Sequence, residues 1–355
     1  MRRAAALLVV GVALLASGGP AAADPPRPTN YRSEVTGAEP PLPPEVDVRV
    51  VGGDAFLELT VARGTVVVVP DYGQEPTADA APYLRFEADG TVRRNERSQA
   101  RAVNDDRYGR TDEVPDPDAP PRWTVVAHDG RYTWHDHRIH WMSPRPPRVV
   151  ADDGTVDLGG PDGSWELDLL VDGQPTVVTG RLVRLDAPSP WPWLVGAAAV
   201  AAAAIALGRR HRRALLAGAA AVAGGAVVVS AARWLDAPPG TAGWPVAVVV
   251  SALGAIGVVG ALVGPVRLRP VATALAAAGL LGWAVARAAV LTSAVLPTSL
   301  PYGVDRGITA AALGVGLAVA AGMVLRSSRP AGTATRAPRP RPPSTPRRSG
   351  TPPTS

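Results

Sequence analysis

The sequence predicts two architectures in one chain: an antiparallel, sandwich-like all-β extracytoplasmic domain, then an α-helical membrane domain of five transmembrane helices. Three observations predict it. Period-2 apolar runs broken by Asp-Gly pairs occupy residues 45–187, the pattern of half-buried strands joined by tight turns. Five apolar stretches follow from Trp191 onward, each near the ~20 residues that cross a bilayer. Formal charge divides at the same place. Residues 24–187 hold 18 Arg against 29 Asp and Glu, and residues 188–355 hold 16 Arg against 2 Asp. The overall +5 is therefore the sum of opposed halves, a sign of different compartments rather than of nucleic-acid binding.

The elements follow in order. Residues 1–23, MRRAAALLVVGVALLASGGPAAA, have two arginines, an apolar stretch and a small-residue end at Ala21-Ala22-Ala23. That is the plan of a secretory signal peptide. Residues 24–44 are rich in proline and read as an extended arm. The β-domain then spans 45–187. Val46-Asp-Val48-Arg-Val50, Leu57-Glu-Leu59-Thr-Val61 and Trp165-Glu-Leu167-Asp-Leu169 alternate, while Val66 to Val69 and Val177 to Leu185 supply further strands. Asp-Gly pairs at 89–90, 129–130, 153–154 and 172–173 suit the type I′ hairpin turn, which needs positive φ at both central residues.

The membrane domain spans 188–326, with apolar stretches at about 191–208, 214–235, 244–264, 271–292 and 308–325. With the β-domain outside, Arg209, Arg210, Arg212, Arg213, Arg267, Arg269 and Arg326 all fall on the cytoplasmic side, as the positive-inside rule requires. Arg233, beside Trp234, reads as a snorkelling side chain at the outer end of its span. Arg287 lies deeper and needs a partner, for which Asp305 and Asp236 qualify. No span centre carries a carboxylate or histidine, so ion-coupled transport has little support. Gly254, Gly257, Gly260 and Gly264 form a face on which another helix can pack closely. Residues 327–355 are mostly Pro, Arg, Ser, Thr and Gly and read as a disordered cytoplasmic tail, unable to bury enough apolar surface to fold.

The chemistry concentrates in one stretch. The chain has no cysteine, which excludes disulfides, thiolate metal sites and a blue-copper centre. Residues 132–142 read YTWHDHRIHWM. If Asp129-Gly130 is a two-residue hairpin turn, Thr124, Val126, His128, Thr133, His135 and His137 share one face, and Trp123, Val125, Ala127, Tyr132 and Trp134 share the core face. His135 and His137 then stand about 7 Å apart at Cα, close enough to chelate copper or zinc. His140 and Met142 fall on the opposite face unless a bulge intervenes, and His128 lies about 13 Å from His135. The competing reading is structural: Asp136 pairs with Arg138 while Trp134 and Trp141 fill donor roles. No local pattern places a nucleophile against a base, so no catalytic residue and no organic cofactor is expected. The function expected is an envelope interaction or binding module, with metal handling through this stretch as the alternative. Its partners would be the membrane and an unidentified extracytoplasmic molecule, not nucleic acid.

Tyr132 to Met142, together with Asn104-Asp-Asp-Arg-Tyr-Gly109 and Pro82-Tyr-Leu-Arg-Phe86, resembles a group of actinobacterial envelope proteins. These share a secreted domain with a WHDHR-x-HWM signature, followed by a variable membrane region. The similarity covers roughly residues 40–187 and departs at Arg97-Ser98-Gln99-Ala100, where the pattern would carry proline at the third position. It implies one folded module in the cell envelope and assigns no activity.

Overall fold

A computed structural model describes residues 26–77, 81–104, 111–116, 119–143, 145–238 and 246–327. The segment read as a signal peptide and the tail beyond residue 327 lie outside the described residues. The strands are β1 (Tyr31–Glu39), β2 (Val46–Val51), β3 (Phe56–Val61), β4 (Val67–Pro70), β5 (Pro82–Phe86), β6 (Val92–Asn95), β7 (Trp123–Ala127), β8 (Arg131–His135), β9 (Thr155–Val156), β10 (Trp165–Val171) and β11 (Gln174–Arg184). An eight-stranded antiparallel sheet runs β1-β11-β10-β4-β5-β6-β7, with β9 added on β11, and a three-stranded sheet runs β2-β3-β8. Their facing apolar residues make one core. Leu57, Leu59 and Trp134 from the small sheet meet Val67, Leu84, Phe86, Leu167 and Val178 from the large one. The alternation in β2, β3 and β10 is thus the inward face of a sandwich.

One side chain locks the large sheet internally. Trp165 is 2 % exposed, lies across Gly180 on β11, and donates from Nε1 to Ser33 Oγ at 2.8 Å. A Cβ at Gly180 would stand 2.0 Å from the indole, so only glycine admits the ring.

In the elements of the β-half the sequence reading is corrected in three places. The segment expected as a free arm contributes β1, which pairs with β11 along Tyr31 to Glu39. Prolines flank this strand rather than interrupt it, which disguised it. Next, β7 and β8 do not form a hairpin: β7 pairs with β6 and β8 with β3. Asp129-Gly130 turns the chain from one sheet to the other, with the Val61 amide donating to the Gly130 carbonyl at 2.8 Å. A register shift at Val92/Arg93 also changes the phase of β7, so Val126 and Ala127 pack on the core while Val125 is 39 % exposed. Of the four Asp-Gly pairs, Asp172-Gly173 makes the expected two-residue hairpin, between β10 and β11, with φ of 49° and 80°. Finally, a short helix absent from the sequence reading, α1 (Gln99–Asn104), packs beside β5.

Among the described residues, the second half contains five helices long and apolar enough to span a membrane: α2 (Trp191–Arg210), α3 (Arg212–Asp236), α4 (Val246–Val263), α5 (Arg269–Ala286) and α6 (Tyr302–Ser327). The glycine face of α4 lies against α5: a Cβ at Gly254 would meet Gly279 at 3.3 Å, and one at Gly257 would meet the Ala276 amide at 2.5 Å. Close backbone approach is what such a face provides. Arg287 pairs with Asp305 and sits over the Trp283 ring, 4.8 Å from its centroid. Asp305 belongs to the first turn of α6 rather than to the preceding loop, and is fully buried. Asp236 takes a different partner, the Ser299 amide, at 2.6 Å.

The two halves are stitched together. Thr29 and Val295 exchange backbone hydrogen bonds at 3.0 and 2.9 Å, and the Ala294 amide donates to Asn30 Oδ1 at 2.8 Å. The segment preceding β1 therefore docks on the loop between α5 and α6.

Candidate metal centre

The site forms where β8 ends. Pairing of Phe56 with His135 closes the β3–β8 ladder, and the chain then enters a 3₁₀ turn at His137–Ile139. Asp136 causes the change. Its backbone is still extended, at φ −132° and ψ 123°, while its side chain accepts the Arg138 amide at 3.0 Å and so caps the turn. A 3₁₀ turn has three residues per revolution, so positions i and i+3 eclipse. His140 is thereby carried to the side of His137. Ile139, fully buried, pins the turn to the core.

His135, His137 and His140 consequently converge. Their ring centroids stand 5.3, 4.6 and 5.4 Å apart, and one ligand nitrogen from each lies within 4.8 Å of the others. All three are at most 9 % exposed. Sequence reasoning joined His135 to His137 by alternation and put His140 on the far face; the 3₁₀ turn overturns that placement. His128 is exposed and takes no part in the cluster.

Two imidazoles are oriented by backbone carbonyls. His135 Nδ1 lies 2.6 Å from the Ala55 carbonyl and His140 Nδ1 lies 3.2 Å from the Trp141 carbonyl. A carbonyl oxygen only accepts, so in each ring Nδ1 carries a proton, and in the neutral imidazole Nε2 is then the atom with a lone pair to offer. This is the arrangement in which metal-binding histidines are held. His135 Nε2, His137 Nδ1 and His140 Nε2 are all buried. Nitrogens bound about 2.0–2.1 Å from a tetrahedral ion would stand roughly 3.3 Å apart, closer than the 4.8 Å limit within which these three lie.

Behind the histidines lies the structural network. Asp136, fully buried, accepts from Trp134 Nε1 at 2.8 Å and from the Arg138 guanidinium at 2.9 and 2.7 Å. Burial raises the Asp136 carboxyl, but the charge and hydrogen bonds of Arg138, with Trp134, outweigh it and hold the group down at about 2. Tyr72 closes the network. Its hydroxyl lies 2.6 Å from Asn104 Oδ1 and 3.2 Å from Asp136 Oδ1, accepts the His137 amide at 3.1 Å, and its ring underlies Arg138. Asp71 positions both neighbours by accepting the Gln99 and Ala100 amides at the start of α1, each at 2.7 Å. Trp141 stands apart from this network and donates to the Arg145 carbonyl at 2.6 Å.

Tyr72, Asn104 and Ala55 are the residues that sequence reasoning did not single out as site components. Asn104 begins one of the segments that carried the resemblance; Tyr72 and Ala55 have no local signal, since one acts through a distant hydroxyl and the other through its backbone. Compared with family models, curated proteins and solved structures, the chain matches none.

Proposed function

We propose that this protein is a membrane-anchored extracytoplasmic binding module whose ligand is a single transition-metal ion, copper(II) or zinc, held by His135, His137 and His140. The convergence of three buried imidazoles, two of them oriented by carbonyls, carries the reading. The metal class follows from the donors. Imidazole suits copper and zinc, calcium and magnesium take oxygen ligands, and a cysteine-free chain offers no thiolate. Three ligands leave a fourth tetrahedral position for water or an exchanging partner. The resemblance to actinobacterial envelope proteins with the same signature agrees with a module acting at the cell envelope.

The outward side is supported by two features. The β-domain touches the α5–α6 loop, so both share a side, and Asp236 at the end of α3 reaches the same loop. The arginine-rich connections, Arg209 to Arg213 and Arg267 to Arg269, belong to the opposite helix ends, where the positive-inside rule puts the cytoplasm.

Metal content of the purified full-length protein tests the reading. One copper or zinc per chain is expected, reduced at least tenfold in His137→Ala and in His140→Gln with little change in the far-ultraviolet spectrum. Substoichiometric metal, or retention in both variants, would contradict it. A reporter fused at the C-terminus should be cytoplasmic; activity only outside would overturn the orientation.

A further inference from the structure

A second candidate site, containing none of the three histidines, lies where the β-domain meets the membrane half. A cleft of about 290 Å³ opens between Tyr31, Trp141, Arg145 and Arg184 of the β-domain and Ser293 of the α5–α6 loop, with Asn30 at the seam. Its volume falls just below the ~300–1,000 Å³ typical of small-molecule sites, a size suited to a small polar group such as a headgroup.

The lining is one-sided in charge. It contains two arginines and no acidic residue. Among the described residues no ion pair involves Arg145 or Arg184, although Arg181, three residues before Arg184, is paired with Glu34. The backbone at Arg145 is fixed: its carbonyl accepts Trp141 Nε1 at 2.6 Å and its amide donates to Ser143 Oγ at 3.1 Å. Arg184 is held by the β1–β11 ladder opposite Tyr31. Two exposed arginines lining one cleft from hydrogen-bonded backbone supply guanidinium groups whose fork geometry matches the oxygens of a phosphate group.

The position selects the source of that phosphate. Arg184 precedes the first spanning helix by seven residues, and that helix begins with Trp191, 69 % exposed, as aromatic residues do at the headgroup level. Ser293, on the other wall, is tied to α6 through its carbonyl, which accepts Arg306 Nη2 at 2.7 Å. The cleft is thus part of the protein surface next to the lipid headgroups. We infer that it binds a phosphate-bearing anion there, an anionic lipid headgroup clamped between Arg145 and Arg184.

The test uses full-length, delipidated protein in neutral detergent, titrated with short-chain phosphatidylglycerol, short-chain phosphatidylcholine and inorganic phosphate. Phosphatidylglycerol should bind at least tenfold more tightly than phosphatidylcholine, and the R145A/R184A double variant should lose that preference. The charge-matched control R63A/R148A, two exposed arginines outside the cleft lining, should keep it. Binding of inorganic phosphate as tight as the lipid's, lost in the same double variant, would keep the anion site and make a soluble anion its occupant. Equal binding of the two lipids without arginine-dependent phosphate binding, or a preference unchanged in R145A/R184A, would overturn the inference. Metal content of the double variant should stay at the wild-type level, which separates this site from the histidine cluster.

Discussion

At the residue scale, Asp136 decides what the histidine stretch becomes. Alternation along β8 is enough to pair His135 with His137, and the charge pattern is enough to pair Asp136 with Arg138. His140 was not legible, because its placement depends on a side-chain cap that replaces strand by 3₁₀ turn, and period-2 reasoning cannot anticipate a change of period. Asp136→Asn should therefore cost more than any single histidine replacement. It leaves Arg138 without its buried counter-charge, a loss of about 3–5 kcal/mol, readable in urea unfolding of residues 26–187. A cost below that of His137→Ala would show that the network is not what holds the turn. Glu58 gives a second, pH-dependent case. It is 1 % exposed and receives Arg49 Nε, Arg131 Nη2 and Thr133 Oγ1 at 2.6, 2.6 and 3.0 Å. Burial raises its carboxyl, but these bonds prevail and leave it lowered. A group lowered on folding stabilises above its unfolded pKa, about 4.3 for glutamate, and loses that contribution as pH falls below it. The stability gap between wild type and Glu58→Gln should be widest at neutral pH and shrink below about pH 4; a gap independent of pH would contradict the assignment.

At the element scale, strands with clean alternation were legible, and so was the hairpin at Asp172-Gly173. Strands whose pattern depends on a bulge or a sheet change were not. The sequence of Asp129-Gly130 is that of a hairpin, yet it forms a corner, because β3 supplies the partner that β7 would have been for β8. What distinguishes the two glycines is their surroundings. Both have positive φ, 71° at Gly130 and 80° at Gly173, but a Cβ at Gly130 would stand 2.2 Å from the Val61 carbonyl oxygen, whereas Gly173 has open space. Gly173→Ala should cost only the conformational strain, about 1 kcal/mol. Gly130→Ala adds a backbone collision and should cost at least about 2 kcal/mol more. Equal losses in thermal unfolding would mean that the corner is not fixed as described.

At the scale of the whole molecule, composition announced the division into a β-half and a membrane half, and the two separate apolar cores bear it out. The contact between the halves was hidden, since it rests on backbone groups of Thr29 and Val295 rather than on any sequence pattern. Beginning the folded module at residue 45 also proved too late. A fragment of residues 26–187 should fold as a β-rich monomer, while 45–187 lacks β1, exposes the β11 edge and removes Ser33 from Trp165. Exposed edges invite pairing with other chains, so the shorter fragment should aggregate or melt early in size-exclusion and circular-dichroism runs; equal behaviour would make β1 dispensable. The proposed function requires the intact protein to bring three imidazoles onto one ion. X-ray absorption at the metal edge of copper- or zinc-loaded full-length protein tests it most directly. Three imidazole nitrogens per ion at about 2.0–2.1 Å are expected, falling to two in His140→Gln. A shell dominated by oxygen, or one unchanged by His140→Gln, would contradict it.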